Sequence, residues 1–177
     1  MMKTLNIRKG TKEDIARIGQ FYDDVVFWLN DHVNYPRWIY KVYPSESSVR
    51  NMVNAGCQYI CEEGESILAA FALNSEAQGN YQKGNWSLDL PDGSYMVIHA
   101  LATDPQKQRH GIGTEILQFC VARAKAENYK AIRADIVPTN HPARRLFEKN
   151  GFAYVGDTDL ELSIGEIPEF SLYELNF

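Results

Sequence analysis

The chain has 177 residues, 45% of them hydrophobic, enough for one ordinary domain that buries roughly 70% of its unfolded surface. Its formal charge of -5 argues against nucleic acid as an obligate partner, which needs clustered Lys and Arg, and is compatible with a cationic small molecule. Cys57, Cys61 and Cys120 form no C-x-x-C pair, which disfavours a disulfide framework or a thiolate metal site, so no metal is expected. Met1 to Gly10 lacks the apolar core of a signal peptide. The longest apolar run, Ile67 to Leu73, is too short to span a bilayer. A cytoplasmic protein with no membrane partner, monomeric or homodimeric, is expected.

Leu5-Asn6-Ile7-Arg8 alternates as a half-buried strand does. Thr11 and Asp14 have the spacing of a capping box, and Ile15, Ile18, Tyr22, Val25, Val26 and Leu29 then recur at helical spacing. A Pro-punctuated aromatic segment runs from Tyr35 to Pro44. Ser45 is positioned to cap a short helix carrying Val49, Met52 and Val53, ended by Gly56. Two strands, Cys57 to Glu62 and Ser66 to Leu73, flank the turn Glu63-Gly64-Glu65. Asn74 to Ser94 reads as an insertion loop, although Tyr81 and Trp86 are large for a mere linker. Tyr95 to Thr103 is the most apolar strand, stopped by Asp104-Pro105. Ile112 to Glu127 is an amphipathic helix with Ile116, Leu117, Cys120, Val121 and Ala124 on one face. A strand, Ala131 to Val137, precedes a short helix, Pro142 to Asn150, ended by Gly151. Two strands close the chain, near Phe152 to Asp157 and Glu169 to Phe177. One α+β domain over residues 1–177 is predicted.

The chemistry-bearing stretch is Leu101-Ala102-Thr103-Asp104-Pro105-Gln106-Lys107-Gln108-Arg109-His110-Gly111-Ile112-Gly113-Thr114. A buried strand enters a loop with two glycines, and the loop opens into a long helix. N–H groups at a helix start lack intrahelical acceptors, and the helix dipole adds partial positive charge. Such an opening can cradle a phosphate, and glycine lets the backbone approach it closely. Equally, Gly111 and Gly113 can serve only a tight strand-to-helix turn. The loop is not a Walker loop, because no Gly-Lys-Ser/Thr follows, and it lacks the third glycine of a dinucleotide fingerprint.

With this loop the chain resembles the GNAT superfamily of N-acetyltransferases, whose cofactor loop reads Gln/Arg-x-x-Gly-x-Gly/Ala. Gln108, Gly111 and Gly113 fit that pattern. Downstream, Asn140-His141-Pro142-Ala143-Arg144-Arg145-Leu146-Phe147 through Gly151-Phe152 is similar to the family's second signature, N-x-x-A-x-x-L-Y-x-x-x-G-F. The resemblance implies a single-domain GNAT fold, with a mixed, mostly antiparallel sheet flanked by helices. It also implies acetyl-CoA as donor and a small-molecule or peptide amine as acceptor. The diphosphate would lie on the N–H groups of Arg109, His110, Gly111, Ile112, Gly113 and Thr114. The pantetheine arm would pair with Leu101, Ala102 and Thr103 like an added strand, where a backbone N–H polarises the thioester carbonyl. Asn140 would bond the cofactor near its thiol end, unless it simply caps the helix that follows.

Direct transfer needs a neutral amine. An alkyl ammonium of pKa about 10.4 gives up its proton at pH 7 at a cost of roughly 4.6 kcal/mol. His99, on the strand leading to the thioester, is one candidate base; it can also be a structural histidine. Glu62 is the second candidate. Phe147 stands where many relatives have a tyrosine thought to protonate the leaving thiolate, so Tyr173 or Tyr81 would have to substitute, or the thiolate leaves as the anion. The missing hydroxyl also suits a non-catalytic acyl-CoA-binding or regulatory module on the same fold. Trp28, Tyr35, Trp38, Tyr81 and Trp86 are candidate acceptor-binding aromatics, able to hold a cation over their faces, or satellite core.

Overall fold

A computed structural model describes residues 5–107 and 111–177. Among them, seven strands form one mixed sheet in the order β1-β2-β3-β4-β5-β7-β6. The strands are β1 (Asn6–Lys9), β2 (Gln58–Glu63), β3 (Ser66–Asn74), β4 (Met96–Thr103), β5 (Ala131–Ile136), β6 (Ala153–Thr158) and β7 (Phe170–Asn176). Four helices accompany them: α1 (Ile15–Asp31), α2 (Glu46–Asn54), α3 (Ile112–Ala126) and α4 (His141–Lys149). The predicted order of elements is the observed one. The chain divides into two compact units, residues up to Leu73 with His99–Ile116, and Asn74–Ile98 with Leu117–Phe177.

In the first unit, β1 pairs antiparallel with β2, and β2 with β3. The tight β2–β3 turn needs Gly64, whose φ is +60°. Asp14 enters the capping box of the 3-10 turn Lys12–Asp14 that leads into α1, accepting from the Thr11 N–H at 2.8 Å. Ser45 and Ser48 form the corresponding box at α2. The periodic residues of α1 do what their spacing predicts: Ile15, Ile18, Tyr22 and Val25 pack with Val49 and Val53 of α2 against Ile60, Ala70 and Ala102 of the sheet.

In the second unit, β4 and β5 run parallel, as a connection through a helix requires. β7 lies antiparallel between β5 and β6. The segment 74–95 is mostly without regular structure, with one 3-10 turn at Tyr81–Lys83. It is nevertheless built into the core, because Tyr81 and Tyr95 are buried with Val97, Ala131, Val137, Leu160 and Leu172.

Candidate active site

Asp104 ends β4 by two local bonds. Its carboxylate accepts from the Gln106 N–H at 2.9 Å, and its carbonyl accepts from the Lys107 N–H at 2.9 Å. This is how Asp before Pro makes a turn. The Asp104 N–H still reaches the Leu68 carbonyl at 2.7 Å, so the strand end is fixed to β3 before the loop begins. Gln108, Arg109 and His110, three of the expected cofactor residues, lie outside the described residues. Beyond them Gly111 has φ +71°, and a side chain added there would meet no atom of the described residues within 4 Å, its chain neighbours aside. The Gly111 backbone therefore borders open space in a conformation that other residues adopt only with strain. The Glu115 N–H donates to the Gly111 carbonyl at 3.1 Å and closes the first turn of α3. The amides of Ile112, Gly113 and Thr114 precede that bond, as helix geometry dictates. Ile112 is buried and anchors the opening turn. This geometry fits an anionic, phosphate-bearing ligand.

In β4, His99, Leu101 and Thr103 are half-buried and Ala102 is buried. The sequence predicts unbroken alternation through Tyr95, Val97, His99 and Leu101. The structure departs from it at Ala100, whose φ is +49°. A left-handed residue within a strand is the mark of a bulge, which re-aims the side chains that follow. The parallel ladder to β5 comprises Met96 with Ile132 and Val97 with Arg133, both ahead of that irregularity.

The two candidate bases differ sharply. Glu62 accepts from Arg8 Nε at 2.8 Å and from Arg17 Nη2 at 2.5 Å. Burial raises its pKa, but the two guanidinium groups outweigh burial and hold the carboxyl below its ordinary value. With both oxygens engaged by cations, Glu62 is a poor proton acceptor and acts as a structural partner of Arg8, Asp14 and Arg17. His99 lies half-buried in β4.

The expected acceptor aromatics separate as well. Trp28 stacks on His32 at 3.7 Å and borders a cavity of about 500 Å³ with Arg17, Phe21, Ile67 and Lys107. Tyr35 is half-buried. Trp38 packs against the first core, edge-on to Tyr22 at 6.1 Å. Tyr81 and Trp86 are structural. Tyr81 is 2% exposed and its hydroxyl donates to Asp135. Trp86 lies with its ring 4.2 Å from the buried Arg133 guanidinium, while its indole N–H donates to the Tyr81 carbonyl at 2.6 Å.

Asn140 caps α4, accepting from the Ala143 N–H at 3.3 Å. Phe147, one α4 face further on, is buried edge-on against Phe152 at 4.9 Å. Neither candidate replacement for the missing tyrosine is at liberty. The Tyr173 hydroxyl donates to Glu148 at 2.8 Å and accepts from Arg144 at 2.9 Å, and Tyr81 is committed to Asp135.

Three residues of consequence escape a reading of the sequence. Ala100 gives no warning of a positive φ. Tyr22 is legible only as a core position, and Arg133 only as a polar residue on a strand. No helix among the described residues is long and apolar enough to cross a membrane, and no group of metal-binding side chains occurs among them.

No curated protein sequence matches the chain. Solved structures do. A GNAT-family acetyltransferase from Streptococcus agalactiae superposes with a TM-score of 0.78 at 16% identity, covering 100% of this chain and 98% of that one. An N-acetyltransferase from Staphylococcus aureus gives 0.69 at 19% identity, with 98% and 99% covered. A third, yncA of Salmonella typhimurium, described as a putative acetyltransferase with its cofactor acetyl-CoA, gives 0.67 at 18% identity, with 98% and 94% covered. At such identities these structures establish the fold. The family is established by sequence: the model of the acetyltransferase (GNAT) family matches residues 25–152, a span that holds β4, the Gly111 loop, α3 and the Asn140–Phe152 signature. The chain therefore belongs to the GNAT family of acetyltransferases.

Proposed function

We propose that the chain moves an acetyl group from acetyl-CoA to a primary amine by direct attack on the thioester. The observation that carries this reading is the opening of α3, where Gly111 presents left-handed backbone to open space just ahead of the first N–H groups of the helix. Those amides, with the helix dipole behind them, suit the diphosphate. The backbone of Leu101–Thr103 takes the pantetheine arm by strand addition, and an N–H there stabilises charge developing on the thioester oxygen.

His99 is the proposed base. Imidazole accepts a proton near neutral pH, and Glu62 has its lone pairs committed to Arg8 and Arg17. With Phe147 apolar and Tyr173 and Tyr81 hydrogen-bonded elsewhere, the thiol leaves as the thiolate, which an alkyl thiol of pKa about 8.5 allows. The acceptor, a small-molecule or peptide amine, approaches past Trp28, Tyr35 and Trp38. The buried cysteines Cys57, Cys61 and Cys120 are all free thiols, which fits the reducing cytoplasm.

The test is thiol release from acetyl-CoA with spermidine, free amino acids, a tripeptide N-terminus and a lysine peptide as acceptors. Release with at least one amine is expected, together with a His99→Ala variant that binds CoA normally and loses most of its turnover. Phe147 favours one other reading, a module that binds acyl-CoA without transfer. That module would bind CoA and release thiol with none of the amines.

A further inference from the structure

Taking the acetyl transfer proposed above as given, the Leu101 amide stands beside the thioester, and the rate depends on what fixes that amide. Its neighbour Ala100 is left-handed, with φ +49°. An alanine in this conformation carries a strain of about 1–2 kcal/mol. Such strain persists only where surrounding contacts over-determine the backbone.

The holding contact comes from α1. The Tyr22 hydroxyl donates to the Ala100 carbonyl at 2.7 Å, across 78 residues of sequence. Tyr22 has no exposed surface. Its ring is fixed edge-on by Phe21 at 5.7 Å and by Trp38 at 6.1 Å. Burial pushes its pKa far above the ordinary tyrosine value, against a smaller opposing effect of the Gln58 side chain, so the hydroxyl remains a donor at every working pH. Gln58 is itself anchored, donating to the Tyr59 and Phe71 carbonyls at 3.1 and 3.0 Å. A stability role alone would be met by phenylalanine at position 22. The hydroxyl adds one directed bond, to the single strained residue between His99 and Leu101.

We propose that Tyr22 is a positioning residue for acetyl transfer, its hydroxyl holding the left-handed turn at Ala100 and thereby the placement of the His99 side chain and the Leu101 amide. Tyr22 touches neither donor nor acceptor. Its effect falls on turnover and not on cofactor affinity, because the diphosphate cradle at Gly111 is built from a different segment.

Tyr22→Phe is the test. Turnover is expected to fall about tenfold or more, since small misplacements near the reacting atoms cost that much, while KM for acetyl-CoA and the affinity for free CoA stay within about threefold. In an Ala100→Gly background the same change should cost about threefold or less, because glycine adopts the left-handed conformation without help. In the unliganded full chain, Tyr22→Phe should speed amide hydrogen exchange at Leu101 while Ile60 is unaffected. Turnover within twofold of the parent, or an equal loss in both backgrounds, would overturn the proposal. If the parent chain transfers acetyl to no amine, the function proposed above fails; the exchange measurement then decides the role of Tyr22 by itself, and unchanged exchange at Leu101 overturns it.

Discussion

Asp14 and Glu62 share two guanidinium groups. Arg8 bonds Asp14 at 2.7 Å and Glu62 at 2.8 Å, and Arg17 bonds the same pair at 2.9 and 2.5 Å. The hydrogen bond from Arg8 is the chief cause of the strongly lowered Asp14 pKa, while burial works the other way. A carboxyl depressed in the folded state stabilises fully above the unfolded value, about 3.9 for Asp, and that contribution is lost as pH falls through the lower folded value. Acid unfolding should therefore steepen below about pH 4. Asp14→Asn should lower neutral-pH stability by on the order of 2 kcal/mol and flatten that acid limb in a urea titration run at several pH values. An unaltered limb would show that the pair contributes nothing to acid sensitivity.

Gly111 admits a cleaner separation of backbone from ligand. Gly111→Ala should cost about 1 kcal/mol of stability for the left-handed conformation and weaken acetyl-CoA binding by roughly tenfold, through a Cβ set where the diphosphate approaches. Gly165 is also left-handed, with φ +51° and open space around it. Gly165→Ala should show a similar stability loss by chemical denaturation and no change in affinity by calorimetry. Equal affinities for the two variants would remove the diphosphate from Gly111.

At the scale of elements, helices and strands follow from periodicity, and their ends from particular side chains. Ser45 and Thr11 are readable caps because the capping box places both partners within four residues. The 74–95 segment is the contrary case. Its order depends on Arg133, 1% exposed and held between Trp86 at 4.2 Å and Tyr95 at 4.1 Å, with Nη2 donating to the Leu88 carbonyl at 2.9 Å. A cation sandwiched between aromatic faces can be buried without a direct carboxylate bond, and no local pattern announces it. Trp86 and Tyr81 read as acceptor contacts for that reason; their rings belong to the core. Trp86→Ala should destabilise the fold by about 2 kcal/mol or more, through lost packing and cation–π attraction, and leave KM for the amine unchanged. A raised KM at parental stability would restore Trp86 to the acceptor site.

At the scale of the whole molecule, element order and the two signatures were legible, because each rests on residues close in sequence. The strand order was not, since the placement of β7 between β5 and β6 depends on long-range pairing such as Ala134 with Tyr173 and Tyr154 with Tyr173. Backbone conformation was legible at Gly111, where glycine suggests the left-handed region it adopts, and illegible at Ala100, where an ordinary side chain hides an irregular strand. The left-handed backbone at Gly111 is thus suggested by its residue type, whereas the Tyr22–Ala100 bond becomes visible only once α1 is laid on the sheet.

Titration of acetyl-CoA into the isotope-labelled chain probes whether the opening of α3 holds the diphosphate. The amide signals of Gly111, Ile112, Gly113 and Thr114 should shift together and saturate below millimolar cofactor, with desulfo-CoA giving the same pattern because it keeps the diphosphate. Those four signals standing still at millimolar acetyl-CoA would contradict the account.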